Sequence, residues 1–548
     1  MSEAGRRFGP LLPQVPSANG EGWVWPGDPT LSKLFHDNAV RLATASASIA
    51  DRPLSAWRDE ARTDLLRAAS EYVSSYGDFG AATRGRDLRR IVLTGHQPEL
   101  FHPGVWFKNF VAHRLAEREN GVAVHVIADQ DLCRSATVRA PDPSGVRLNG
   151  ETIPLDTAMA AIPFEERQVL DCGTLAAVPD RLAKALKAWV PFPIACDIWP
   201  DVLRGVARHG NLGWALGEAR HRLEQSWGLA TLEVPLSRIC AFPSFAAFLV
   251  GILDQLSDFQ RHYHDSLEEY RRLHRVRSRT HPAPELKRDG EWWETPFWIW
   301  TENNPDRRPL WVRGHPNCWE LRGRPEPEPT DLAVDPPIGC VRRGGASAVE
   351  DLVHLAKNGI RIRPRALTMT MFARLFLGDL FLHGLGGAQY DRMTDRIIKA
   401  FFGLEAPAYG AATATFRLPI PRPSANAREL ARVEIRLREL WYQPDRFLRG
   451  TAGGDPPLLR DLLENKAILV QAPPAIGDRH AWHQQLMELN SSLRGFTESE
   501  RSLLEGRRST LRADLRRDQF LFSREHPYCY FSEENLRRQL LDLSAASA

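Results

Sequence analysis

Apolar residues along this chain switch between two rhythms, and the switches mark its elements. Leu34 to Tyr76 keeps helical spacing, most clearly at Leu65, Leu66, Ala69, Tyr72 and Val73. The Pro- and Gly-rich residues before about position 30 are expected to form an extended surface arm. After the charged lead-in Arg84 to Arg90, Ile91-Val92-Leu93 is a short unbroken apolar run, the pattern of a buried strand. It gives way to a polar turn, Thr94-Gly95-His96-Gln97-Pro98. Apolar positions return past Pro103-Gly104, at Val105, Trp106, Phe107 and Phe110, as a helix. A second apolar run, Val122 to Ala128, ends in Asp129-Gln130-Asp131. Strand, helix, strand is a βαβ unit and predicts a parallel pair. In an open parallel sheet, ligands sit beyond the carboxyl ends of the strands, where both runs place titratable residues. The helix start adds unpaired N–H groups suited to an anion.

The pattern continues irregularly to about Leu170, with short strand candidates at Val138, Val146-Arg147-Leu148 and Thr152-Ile153-Pro154-Leu155. Arg181 to Val190 reads as a helix. Asn211 to Trp227 reads as another, followed by Gly228 and an apolar strand to Val234, a further α/β unit. Phe245 to His274 is predicted as one long helix, its charged later half projecting into water. Trp292 to Leu321, with a turn at Asn303-Asn304-Pro305-Asp306, predicts β-hairpins. Its dense aromatics suit a sheet face over a small core, or a surface that stacks a base or sugar. Pro325 to Pro337 has linker composition. Ile360 to Arg365 is expected to open another core segment. That segment runs through Leu375–Leu382 and His383-Gly384-Leu385-Gly386-Gly387 into a helix from about Ala388 to Gly403. Gly410 to Pro419 is the last β-like piece. Beyond Pro421, Leu430, Val433, Leu437 and Leu440, then Leu486, Leu489, Leu493, Leu504, Leu511 and Leu515, predict antiparallel helices in a coiled-coil-like arm.

These patterns divide the chain into an N-terminal arm and helices (1–90), a core with an inserted segment and long helix (91–275), a β-rich aromatic insert (276–345), the remainder of the core (346–420) and a helical arm (421–548). The length, 548 residues, supports about two to four domains. Apolar content of 43% and charged content of 25% are those of an ordinary globular protein. A formal net charge of +3 gives no global argument for nucleic acid or a membrane surface. No stretch approaches the ~20 apolar residues of a membrane span, and the first residues lack a signal-peptide core, so a cytoplasmic location is expected. The seven cysteines are scattered, with no C-x-x-C, which argues against a disulfide framework or thiolate metal site.

Candidate chemistry gathers at the two strand ends, on His96, Gln97, His102, Asp129 and Asp131. A histidine titrates near neutrality, so His96 suits a general acid or base, or a phosphate partner. Two carboxylates and a histidine can orient an amine nucleophile or hold Mg²⁺. Structural alternatives are caps: His96 on the turn, Asp129 on the next helix. Lys108, on the following helix, reads as a solvated lysine. The glycines at 384, 386 and 387 suit close backbone approach or an anion. There is no Walker A sequence, no G-x-G-x-x-G after a strand, no H-E-x-x-H and no G-x-S-x-G.

The stretch Thr94-Gly95-His96-Gln97…Leu100-Phe101 resembles the T-G-Q-Q-x-G-L-F motif of the bacillithiol biosynthesis cysteine-adding enzyme family. Ile127-Ala128-Asp129-Gln130-Asp131 is similar to that family's strand ending in E-D-H-D. Further likenesses follow in order: Trp214 to Val234 and the long helix after Phe245 in placement, Ile362-Arg363-Pro364 to L-R-P, Leu385-Gly386-Gly387 with Tyr390 to its glycine-rich helix start, and Phe401-Phe402-Gly403…Ala406-Pro407 to F-x-x-F-G-x-x-x-P. The likeness spans roughly 90 to 420. His96 replaces the first Gln, Glu99 a Gly, Ala128 and Gln130 the Glu and His of E-D-H-D, and Thr368 an Asp after R-P.

The resemblance implies a Rossmann-like parallel sheet core with inserted connecting segments, and a C-terminal coiled-coil arm that forms a homodimer. It implies a ligase joining the carboxyl of cysteine, or another amino acid, to the amine of an amino-sugar conjugate such as glucosaminyl-malate. A nucleotide site, with ATP or ADP and Mg²⁺, is associated with it. Carried onto this chain, His96, Asp129 and Asp131 are the expected catalytic residues. Thr94, Gly95, Gln97, His102, Arg363, Gly384, Gly386, Gly387 and Tyr390 are the expected substrate- or nucleotide-binding residues, with no resident metal. Two competing functions are nucleotidyl transfer with Mg²⁺ between Asp129 and Asp131, and non-catalytic ligand binding on the same fold. The expected partners are small molecules, with neither nucleic acid nor membrane.

Overall fold

Leu93 lies between Phe381 on one neighbouring strand and Val124 on the other, so the apolar run at 91–93 does form the buried middle of a sheet. The computed structural model describes residues 13–27, 29–142, 150–325, 339–421, 427–448, 456–472, 474 and 478–547. In chain order the main strands are β1 (Glu21–Trp25), β2 (Ile91–His96), β3 (Val122–Ile127), β4 (Leu232–Pro235), β5 (Arg288–Asp289), β6 (Trp292–Thr301), β7 (Asn304–Gly314), β8 (Cys318–Arg322), β9 (Gly339–Arg342), β10 (Ile360–Pro364), β11 (Leu380–His383) and β12 (Gly410–Thr415). The helices that matter here are α1 (Leu54–Ser74), α2 (Pro103–Arg118), α3 (Leu212–Ser226), α4 (Pro243–Asp254), α5 (Leu256–Leu273), α6 (Gly345–Lys357), α7 (Leu385–Phe402), α8 (Ala427–Tyr442), α9 (Pro457–Gln471), α10 (Arg479–Arg494), α11 (Glu498–Leu521) and α12 (Glu533–Ala546).

The protein is mixed α/β. Its central sheet runs β1-β12-β11-β2-β3-β4, with five strands parallel and β1 antiparallel at the edge. Taken in chain order, the parallel strands lie third, second, first, fourth, fifth. The chain therefore moves outward from β2 through β3 to β4, then crosses to β11 and β12 on the other side. The order reverses between β2 and β11, and such a reversal opens a crevice at the strands' carboxyl ends. The segment expected as a surface arm supplies β1: Trp23-Val24-Trp25 pairs with Ala411 to Thr413, a β-forming run embedded among Pro and Gly.

Two buried arginines of α1 fix the amino end of β2. Arg58 and Arg62 grip the Asp379 carboxylate at 2.6 and 2.9 Å, and that carboxylate also accepts the Ile91 N–H at 2.9 Å. One acid thus ties α1, β2 and the approach to β11 together.

The aromatic segment forms a second, antiparallel sheet, β5-β6-β7-β8-β9, with β10 also pairing β6, along Phe297 to Thr301. Trp292, Phe297, Trp300, Trp311 and Trp319 are buried, so packing accounts for most of the aromatic density. Trp298 is clamped between the Arg307 and Arg365 guanidinium groups, 4.6 and 4.1 Å from its ring. Ile360–Pro364 belongs to this sheet, not to the parallel core as expected. Its Ile-Arg-Ile-Arg alternation is that of a strand with two unlike faces, whereas a strand inside a parallel sheet is apolar on both.

The expected long helix breaks at Gln255 (φ −128°, ψ 38°) into α4 and α5. The later half of α5 does not project into water. Leu267 and Tyr270 are buried, and Glu269 pairs with Arg396 of α7.

Residues 139–151 and 419–523 form a second compact unit, and 524–548 belong to the first. In the second unit, Glu429 and Glu434 of α8 pair with Arg507 and Arg512 of α11, while Val433 and Leu440 are buried. Lys466 of α9 meets Asp445 and Asn490. The expected arm thus ends near 523. Beyond it the chain rejoins the first unit, where Tyr528 N–H donates to Phe101 O and Phe531 O accepts from Ile194 N–H, each at 2.9 Å. The strand candidate 146–148 and most of the linker 325–337 lie outside the described residues. Among the described residues, no helix is long and apolar enough to cross a membrane.

Candidate functional site

Two helices begin at the crevice between β2 and β11, and they are prepared differently. α2 is capped by its own sequence: His102 Nδ1 accepts the Gly104 N–H at 3.1 Å, and Pro103 takes the first helical position. A side chain at Gly104 would stand 2.0 Å from Ala414 O, so glycine lets the helix start press against β12. α7 begins at Leu385-Gly386-Gly387 with no side-chain cap and no acid in its first turn. Nothing lies within 4 Å of where a Cβ would stand on Gly384 or Gly386. The first N–H groups of that helix are therefore available to an outside acceptor.

Between these starts is a cavity of about 490 Å³. Gly95, His96 and Gln97 line it from the end of β2, and His383 to Gly387 from the end of β11. His102, Gly104 and Lys108 come from α2, and Arg524 and Glu525 from the returning C-terminal segment. Its apolar lining includes Val105, Val126, Leu236, Met369, Phe372 and Phe381. Seven of the expected residues, Gly95, His96, Gln97, His102, Gly384, Gly386 and Gly387, are thus brought together.

The cavity is rich in basic groups held in poor solvent. Lys108 was expected in water. It is 3% exposed, and its ammonium donates to Gly95 O. Burial, with Arg220 nearby, pushes this amine down to about 7. Burial, then Lys108, hold His96 well below the usual histidine range. Its Nδ1 lies 3.0 Å from Gln97 O, so Nδ1 carries the proton and Nε2 keeps a lone pair. Burial, with Arg524 and Lys108, pushes His102 down to about 3; its Nε2–H points at Glu525, 3.2 Å away. Arg524 donates to Thr413 and Thr415 at 3.0 and 3.3 Å, which fixes it at the end of β12.

The other expected residues lie elsewhere. Thr94 donates to Leu382 O at 3.0 Å and stitches β2 to β11. Asp129 is fully buried and accepts from Ser237 N–H at 2.9 Å, from the Ser237 hydroxyl and from Trp214 Nε1 at 3.1 Å; burial raises its pKa. Asp131 accepts from Gln97 Nε2 and Arg307, both at 3.1 Å, and so braces the residue that does line the cavity. Arg363 is buried in a two-pronged pair with Glu165, at 2.8 and 2.9 Å. Tyr390 packs against the rings of Tyr270 and His281.

Asp129 and Asp131 do not converge on a cation position. Among the described residues, the group with metal-like convergence is His221, Glu224 and Glu233. There Arg220 already pairs with both carboxylates.

Lys108, His383, Arg524 and Glu525 are among the cavity residues that the sequence reading did not place there. Lys108 had a signal, since it sits inside Val-Trp-Phe-Lys-Asn-Phe with large apolar residues on both sides. His383 also had one, since its apolar run ends in histidine, as the run through His96 does. Arg524 had none, because only tertiary folding returns it to β12. The fold and cavity define a mixed α/β protein with a ligand-sized cleft at its parallel strand ends. Comparison with family models and with curated proteins finds no match for the chain.

Proposed function

We propose that this chain is an amide-forming ligase on a Rossmann-like core, a divergent relative of the bacillithiol biosynthesis cysteine-adding enzymes. It joins the carboxyl of cysteine, or of another amino acid, to the amine of an amino-sugar conjugate such as glucosaminyl-malate. The observation that carries the reading is the cavity at the strand-order reversal, with the uncapped start of α7 facing Lys108 and His96. Parallel strands in the order third, second, first, fourth, fifth support the Rossmann-like description.

Both substrates of such a reaction carry anionic groups, and the first-turn N–H groups of α7, Lys108 and Arg524 are suited to hold them. The same donors fit the phosphates of a nucleoside triphosphate. Among the described residues lining the cavity Glu525 is the carboxylate; it would be the group to hold a Mg²⁺ brought by a nucleotide, which would supply neutralising charge for the phosphates. A carboxylate oxygen bonds to a phosphorus of the triphosphate, a P–O anhydride bond breaks, and the nucleoside diphosphate or pyrophosphate leaves with the electron pair, giving an acyl-phosphoryl anhydride. The amine nitrogen then bonds to the acyl carbon, the anhydride C–O bond breaks, and the phosphoryl group leaves with the electron pair. The nitrogen gives up one proton to a base of the cavity. Nucleotidyl transfer through Mg²⁺ between Asp129 and Asp131 lacks support, since each acid is engaged with a different set of donors.

Exposed Ile435, Ile468 and Leu503 on the helical arm support the homodimer that belongs to this reading. Incubating the protein with cysteine, glucosaminyl-malate and MgATP tests the reaction. Mass spectrometry is expected to find the condensed product, and only when the triphosphate is present. No product from folded protein would contradict the assignment.

A further inference from the structure

The two strand ends at the cavity each deliver a histidine, and only one of them is backed by a carboxylate. His383 closes β11, is 4% exposed, and lines the cavity. Its Nε2 lies 2.9 Å from Asp391 Oδ2, two turns into α7. Asp391 is fixed in turn: Arg374 donates to it at 2.6 Å and the Thr370 hydroxyl at 2.6 Å. Arg374 also holds Asp395 and Pro407 O, so the acid cannot swing away. Packed against the rings of Phe381 and Tyr409, 4.5 and 5.1 Å between centroids, the imidazole has little freedom to rotate.

A carboxylate partner dictates the tautomer, so Nε2 carries the proton and Nδ1 keeps its lone pair. Nδ1 stands over the first turn of α7, where a Cβ on Gly387 would be 2.8 Å from it. Among the described residues Nδ1 has no hydrogen-bond partner. Glycine at 387 thus leaves this nitrogen uncovered. His96 is built the opposite way: its proton goes to a neutral carbonyl, and the cation Lys108 lies beside it. Positive charge arriving on His383 meets a carboxylate; on His96 it meets an ammonium.

We infer that His383, oriented by Asp391, is the base that removes the proton from the attacking amine, while His96 stays neutral and orients substrate through Nε2. This rests on the amide-ligase reading above. In the step, the amine nitrogen bonds to the acyl carbon, its proton passes to His383 Nδ1, and the anhydride C–O electron pair leaves with the phosphoryl group. Asp391 is a positioning residue, acting through the tautomer it imposes.

The test compares wild type with His383→Gln, Gly387→Ala and Asp391→Asn in the assay with cysteine, glucosaminyl-malate and MgATP. His383→Gln is expected to lower kcat by about 10²–10⁴-fold, with KM for the amine within about twofold. Gly387→Ala crowds Nδ1 and leaves Asp391 in place, at some cost in Tm because the held imidazole must give way. It is expected to lower kcat at least about tenfold in protein that still unfolds in one cooperative transition. ¹⁵N spectra of histidine-labelled protein should place the His383 proton on Nε2, and Asp391→Asn should shift that tautomer and lower kcat together. Wild-type rates in both His383→Gln and Gly387→Ala, or a His383 proton on Nδ1, would overturn the inference and leave the ligase reading intact. No product from wild type would contradict the ligase reading and remove the role assigned to His383 with it.

Discussion

Two regions of this protein bury histidine, a basic side chain and hydrogen-bond donors side by side, and they differ in what is left over. Around Arg220, the carboxylates of Glu224 and Glu233 share one guanidinium, Asn109 donates to Glu224 at 2.8 Å, and His221 is bonded on both ring nitrogens, to Tyr76 and Thr231. Each carboxylate is paired with Arg220, and Glu224 also accepts from Trp106 and Asn109, which locks α2, α3 and β4 together. In the cavity, Lys108 has a backbone carbonyl and no acid, α7 has an uncapped start, and two histidines each keep one nitrogen for something else. The same residue types make a brace where a cation is paired with carboxylates, and a binding site where the basic amine has no acid.

Removing charge from each region should have opposite results. Arg220→Met strands two buried carboxylates and is expected to cost about 3–5 kcal/mol, read as a lower urea midpoint. Lys108→Met removes a buried cation without stranding an acid. It should leave the midpoint unchanged or higher, while product formation falls by about 100-fold or more. Similar stability losses in both variants would erase the distinction.

The pH dependence of stability sharpens it further. Lys108 titrates near 7 in the folded protein, against 10.5 for a lysine in water. Between those values the unfolded chain holds a proton that the folded chain has released. Lys108 therefore makes stability rise with pH from about 7 to about 10, by up to about 1.4 kcal/mol per unit. Urea midpoints at pH 7, 8 and 9 should climb less steeply in Lys108→Met than in wild type; parallel slopes would place Lys108 in water.

The two acids of the β3 end should separate as well. Asp129→Ala leaves the Ser237 and Trp214 donors unmatched and is expected to cost about 1–3 kcal/mol. Asp131→Asn touches a partly exposed acid and should cost less than about 1 kcal/mol in thermal unfolding. Equal losses would mean that Asp129 is less integral to the fold than its hydrogen bonds indicate. The smallest effect is expected from Gly386→Ala, whose methyl enters open space: unchanged Tm, and KM raised by a few-fold.

Much of this plan was legible in residue order. Unbroken apolar runs marked β2 and β3 because a strand inside a parallel sheet is buried on both faces, and His96 was legible because it ends such a run. The helix after Gly104 was legible too, but not its surroundings. Periodicity shows that 103–118 winds as a helix, not that it is enclosed almost all round, so Lys108 read as solvated. The alternation Ile360 to Arg363 held the information that β10 leaves the core, and the segment's neighbours obscured it. Asp129 and Asp131 read as a pair because they stand two apart, yet the strand stops at Ile127 and the turn sends them to different partners. The bond from His383 to Asp391 depends on how α7 leaves β11, and Arg524 arrives from far along the chain; neither has a local signature.

The most direct measurement uses cysteine labelled with ¹⁸O in its carboxyl, with glucosaminyl-malate, MgATP and either wild type or Gly386→Val, whose larger side chain occupies the cavity beside the start of α7. Wild type should give amide product with one ¹⁸O per turnover in the released phosphate or nucleoside monophosphate. A folded Gly386→Val should give neither. Amide formed without label in the phosphoryl product, or formed equally well by Gly386→Val, would contradict this.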